Sequence, residues 1–90
     1  MKQFKAMITI TLRKSILDVQ GKTVEHALHS TNFTSIDHVR IGKYVELMVQ
    51  AEDASKAMSI VDEACKSIIA NPIMEDHHIE LQETAIGEPA

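Results

Sequence analysis

The chain carries five histidines, one cysteine and thirteen acidic residues, and these are the first places to look for chemistry. Cys65 is the only thiol. A nucleophilic cysteine needs a neighbouring base and a depressed pKa, whereas Cys65 lies on an apolar helical stripe and reads as a small core hydrophobe. His26 and His29 stand three apart on a helical pattern, so both, together with Glu25, could approach one metal ion. No third and fourth ligand follow at recognisable spacing, and the pair reads as exposed helix histidines. His77 and His78 are adjacent in a strand pattern, point to opposite faces, and cannot chelate together. Asp18-Val19-Gln20-Gly21-Lys22 opens a helix, where free backbone N–H groups favour an anion. With neither P-loop nor GxGxxG spacing, it reads as a capped helix start. No Ser-His-Asp set, paired buried carboxylates or CxxC can be argued, so no catalytic, cofactor-binding or metal-ligating residue is assigned.

The elements that would position these side chains are organised around His38–Gln50. Val39 and Ile41 alternate on one side, Val45, Leu47 and Val49 on another, which predicts two half-buried strands joined at Gly42-Lys43. For both apolar rows to share a face, Ile41 should oppose Val45 across an odd loop of Gly42, Lys43 and Tyr44. Arg40 should then sit across from Glu46. Phe4 to Leu12 alternates over its whole length and predicts a central strand. Asp18 reads as an N-cap, and the first helix should stop near Thr31 with Asn32 in the left-handed position after it. Phe33 and Ile36 should then tuck into the core. Asp53 caps a second helix, whose stripe is Ala57, Ile60, Val61, Ala64, Cys65 and Ile68. Asn71-Pro72 ends it. A last strand turns Ile79 and Leu81 inward and His78, Glu80 and Gln82 outward.

This order predicts an α+β, ferredoxin-like βαββαβ fold, a four-stranded antiparallel sheet with both helices on one face. The other face should carry Met7, Thr9, Arg40, Tyr44, Glu46, Met48 and Glu80, a plausible subunit interface. Residues 1–83 form the expected domain and 84–90 a loose tail.

Ninety residues make one domain with a limited core: no Trp, one Tyr and two Phe. Such a chain gains by burying surface against copies or partners, so an oligomer is expected. The net charge of −4, without clustered Lys/Arg or stacking aromatics, speaks against nucleic acid. Neither a signal-peptide core nor a bilayer-length apolar run is present, and the expected location is the cytoplasm.

Four segments together carry a resemblance: Phe4 to Leu12; Leu17-Asp18-Val19-Gln20-Gly21-Lys22 through Val24-Glu25 to Ala27-Leu28-His29-Ser30; Val39-Arg40-Ile41-Gly42-Lys43-Tyr44-Val45-Glu46-Leu47; and Ala70-Asn71-Pro72-Ile73-Met74-Glu75-Asp76. In order and spacing they resemble the PurS family, the small subunit of phosphoribosylformylglycinamidine synthase. Val19 stands where that family often has Pro, and Thr31-Asn32 where it usually has Leu-Gly. The resemblance implies a non-catalytic assembly subunit in purine biosynthesis, typically a homodimer or dimer of dimers. It would hold together a glutaminase subunit, which releases ammonia, and a synthetase subunit, which uses ATP (with Mg) to make the amidine. No cofactor is expected in this chain. The implied partner-contact candidates are Asp18, Gln20, Gly21, Arg40, Gly42, Lys43, Tyr44, Asn71 and Pro72. An ACT-like regulatory dimer is the alternative, though Arg13-Lys14-Ser15-Ile16 lacks the Gly-rich turn of that family. An acylphosphatase-like enzyme would need a Gly pattern around Arg13 that this chain lacks, and an RNA-binding module would need strand aromatics that are missing here.

Overall fold

The computed structural model describes residues 1–84. Three strands form an antiparallel sheet: β1 (Lys2–Leu12), β2 (Gly42–Ala51) and β3 (Glu75–Thr84), in the order β2-β1-β3. Helix α1 spans Val19–Ser30 and α2 spans Ala54–Ala64, continued by a π-helical turn over Cys65–Ile69. The α+β class and the central place of the first strand agree with the sequence. Phe4, Ala6, Ile8 and Ile10 are buried on one face of β1. The register places Val49, Leu47 and Val45 opposite Phe4, Ala6 and Ile8 on one side. Leu81 and Ile79 lie opposite Ala6 and Ile8 on the other. All these apolar rows therefore share one face, and α2 with its π-helical turn closes it through Ala57, Val61 and Cys65.

The expected fourth strand is absent among the described residues, and with it the hairpin at Gly42-Lys43. The backbone donors that a strand over Val39–Ile41 would give to a neighbour are instead taken by side chains. Val39 N–H donates to Glu25 Oε1 at 3.0 Å, and Ile41 N–H to Asp18 Oδ2 at 2.7 Å. His38, at φ 55°, turns the chain just before them. Gly42, Lys43 and Tyr44 are not a loop; they open β2 opposite Thr11, Ile10 and Thr9. Val45 accordingly faces Ile8 rather than Ile41, and Glu46 faces Met7 rather than Arg40.

Two further differences have local causes. The Ala70 N–H reaches back five residues to the Cys65 carbonyl at 2.9 Å, so the last turn is widened. That rotation brings Ile69 onto the core and leaves Ile68 86 % exposed, not inward as the stripe predicts. Phe33 and Ile36 are likewise exposed. Asn32 does adopt the left-handed conformation, φ 74°, yet the segment after it runs outside the core because α1 stands off the sheet, with Gly21 its buried residue. Thr84 closes β3 beside Gln3; the rest of the expected tail, 85–90, lies outside the described residues.

Candidate functional site

Eight of the nine partner-contact candidates lie around the end of β1, at Leu12 and Arg13. Asp18 is the keystone. Its carboxylate caps α1 by accepting the Gly21 N–H at 2.8 Å through Oδ1, while Oδ2 accepts the Ile41 N–H. Two hydrogen bonds to the ionised form, Gly21 first and Ile41 second, hold its pKa below the usual carboxylate range. Gly21 is small by necessity: a Cβ there would lie 2.3 Å from the Val39 carbonyl oxygen and 2.7 Å from Asp18 Oδ2. The start of α1 and the 39–41 segment are therefore in direct backbone approach. Glu25, one turn further along α1, fixes the same segment through Val39, and that bond lowers its pKa.

Arg40 reaches back to β1, donating from Nη2 to the Leu12 carbonyl at 2.7 Å and the Arg13 carbonyl at 3.2 Å. Arg13 in turn donates to the Pro72 carbonyl, lies 3.7 Å from Asp76, and gives its backbone N–H to Met74. Lys43 pairs with Glu75 at 3.3 Å. Glu75 also accepts the Asn71 N–H at 2.8 Å, and that bond, with Lys43 adding to it, depresses its pKa. Asn71 Oδ1 caps Ile73 N–H at 3.0 Å. Gln20, Gly42, Lys43 and Glu75 border one small cleft. Thus Asp18, Gln20, Gly21, Arg40, Gly42, Lys43, Asn71 and Pro72, scattered over three stretches of sequence, become neighbours.

Tyr44 is the exception. It stands on the open face of the sheet, 61 % exposed, with its hydroxyl donating to Glu46 at 2.9 Å; that acceptor raises the phenol's pKa. Glu46 also pairs with Lys5 at 3.2 Å. By register Met7, Thr9, Met48 and Glu80 share this face with Tyr44 and Glu46, as expected, while Arg40 lies beyond it.

The thiol and two of the histidines are occupied locally. Cys65 is fully buried and burial pushes its thiol pKa up. His29 Nε2 donates to the Ile36 carbonyl at 2.6 Å. His77, on the inner face opposite Ile10, meets Asp62 of α2 at 2.9 Å. Among the described residues no three His, Cys, Asp or Glu side chains are arranged to hold a metal ion. The roles of Glu25, Asp62 and Glu75 were not readable from the sequence. Glu25 to Val39, Asp62 to His77 and Glu75 to Lys43 each join separate segments, and no spacing rule within one element announces them.

Compared with known proteins, the chain matches the PurS family model, described as phosphoribosylformylglycinamidine (FGAM) synthase, over residues 5–83. It is 39 % identical over 80 residues to the phosphoribosylformylglycinamidine synthase subunit PurS of Bacillus subtilis, covering 89 % of this chain and 94 % of that one. The crystal structure of Methanocaldococcus jannaschii PurS, one of the subunits of formylglycinamide ribonucleotide amidotransferase, superposes with a TM-score of 0.79 at 30 % identity, over 88 % of this chain and 95 % of that one. A chain of the PurLQS structure from Thermotoga maritima superposes with a TM-score of 0.80 at 33 % identity, over 93 % and 100 % of the two chains.

Proposed function

The chain belongs to the PurS family of phosphoribosylformylglycinamidine synthase subunits, and from that premise we propose that it works as the non-catalytic member that bridges a glutaminase and a synthetase. The complex makes formylglycinamidine ribonucleotide in purine biosynthesis. Glutamine supplies ammonia on one subunit; ATP, with Mg, activates the formylglycinamide oxygen on another. This chain supplies adhesion and spacing. The observation that carries the reading is the end-to-end match to relatives named as subunits, one of them solved within PurLQS. The geometry supports it: the candidate residues are tied to each other and to backbone, forming a firm platform rather than a set of poised reactive groups.

In this reading the working form is a homodimer or dimer of dimers. The isolated chain is extended, 52 × 28 × 16 Å with a radius of gyration of 16.9 Å, against roughly 12 Å for a compact domain of this length. Leu17, Val19, Phe33 and Ile73 are more than half exposed, a state that a small domain corrects by association. Its place of work is the cytoplasm; no helix among the described residues is long and apolar enough to cross a membrane.

Co-purification tests the reading. The chain, mixed with the glutaminase and synthetase, should elute with both in one particle by size exclusion with light scattering. Elution of the two larger proteins together, leaving this chain behind, would contradict it.

A further inference from the structure

Helix α1 does not rest on its own sheet. Both core clusters are built from the strands, α2 and residues 65–70, and no residue of 13–41 belongs to either. A short helix without a packed face needs another support. Among the described residues its own side-chain hydrogen bonds from Thr23, His29 and Ser30 stay within α1 and the segment that follows it. The support comes from residues 39–41. Alternate residues of an extended run present their N–H groups to one side, and here both go to α1: Val39 to Glu25 at 3.0 Å and Ile41 to Asp18 at 2.7 Å. Asp18, at the N-cap, and Glu25 stand about 10 Å apart along the helix axis, by its rise per residue. A rod tied at one point pivots; tied at two, it keeps one direction. Arg40, between the tied amides, donates to the Leu12 and Arg13 carbonyls at the end of β1. Residues 39–41 are thus a splint between α1 and the sheet. Cations beside the two carboxylates, Arg40 at Asp18 and Lys22 at Glu25, offset their charge.

We propose that Glu25 is a positioning residue for self-association: as the second tie to the splint, it fixes the direction in which α1 leaves its cap and so pre-organises the chain for a second copy. This rests on the homo-oligomer reading above and assigns it a residue. With Asp18 alone, α1 would swing about its cap, and each association event would first have to order it. Pre-set geometry raises affinity by removing that cost, and the element removed from it is an acceptor oxygen rather than a charge.

The test compares wild type, Glu25→Met and Glu25→Gln by sedimentation over a dilution series and by amide hydrogen exchange of the dissociated chain. Methionine keeps the length of the side chain and its helix propensity but has no oxygen for Val39. Glu25→Met should raise the self-dissociation constant about tenfold and speed exchange in peptides from 19–41, leaving those from β1 unchanged. Glu25→Gln, which keeps a neutral acceptor in the same place, should restore both readings. An unchanged dissociation constant or unchanged exchange over 19–41 in Glu25→Met would overturn the proposal. So would faster exchange in β1 to the same degree, which would make the effect one of global stability. Failure of Glu25→Gln to restore association would overturn it too, since the charge and not the tie would then be acting. A wild-type chain that stays monomeric at every concentration would sink the homo-oligomer reading itself, a separate result, and exchange over 19–41 would still decide whether Glu25 holds α1.

Discussion

The carboxylate of Asp18 accepts the backbone N–H of Ile41, 23 residues away, at 2.7 Å, while its other oxygen caps α1 at Gly21. One buried side chain thus starts a helix and docks the segment that leads into β2. Asp18→Ala should remove both bonds and lower Tm by about 5–10 °C. Asp18→Asn keeps one acceptor oxygen for the cap but presents an amide to Ile41, and should fall between. Equal Tm values for wild type and Asp18→Ala, measured at one protein concentration, would refute the double role.

Acid should reveal the same bonds. Asp18, Glu25, Asp62 and Glu75 all have folded-state pKa values below their usual range: Asp18 through Gly21, Glu25 through Val39, Asp62 through His77, and Glu75 through Asn71. A depressed folded pKa contributes stability that is present above the unfolded value, roughly pH 4, and is lost as pH falls through the folded one. Tm should hold from pH 7 to 5 and drop as pH goes below about 4. In Asp18→Asn that acid drop should be shallower. Identical slopes in the two proteins would remove Asp18 from the explanation.

Gly21→Ala tests the backbone approach. The added Cβ would sit 2.3 Å from the Val39 carbonyl oxygen, and relief requires prising the 39–41 segment from α1. A loss of about 1–3 kcal/mol is expected from such overpacking, although alanine is the better helix former. Urea unfolding would show it as a lower midpoint; a higher midpoint would mean that the contact opens freely.

Legibility in the sequence followed the range of the interactions. β1, β3, both N-caps and the left-handed Asn32 came from period-two alternation or from contacts within a few residues. The fourth strand was misread for a physical reason. Val39 and Ile41 alternate as a strand does, but strand identity depends on where the N–H groups go, and here the Asp18 carboxylate that caps α1 and the Glu25 carboxylate within it take them. The inward position expected of Ile68 failed because one widened turn shifts the helical phase. The nine candidate residues come as a set through resemblance, not through spacing; the ties by which Arg40, Arg13 and Glu75 gather eight of them, and leave Tyr44 on the open sheet face, are visible in three dimensions alone.

Arg40 and Lys43 separate folding from assembly. Both side chains bond at the surface, Arg40 to carbonyls and Lys43 to Glu75, so Arg40→Ala or Lys43→Ala should cost under about 1 kcal/mol of stability. Affinity for the larger subunits should nevertheless fall about tenfold. Pull-down at wild-type strength by either variant would strike that residue from the contact surface.

The most direct measurement compares two nitrogen sources. With the glutaminase and synthetase at fixed concentration, amidine formation is followed with glutamine and then with ammonium salt, in the presence and absence of this chain. A bridging subunit predicts that omitting it abolishes most glutamine-dependent turnover and spares ammonium-dependent turnover. Glutamine-dependent turnover at full rate without the chain, or turnover by the chain alone, would contradict the account.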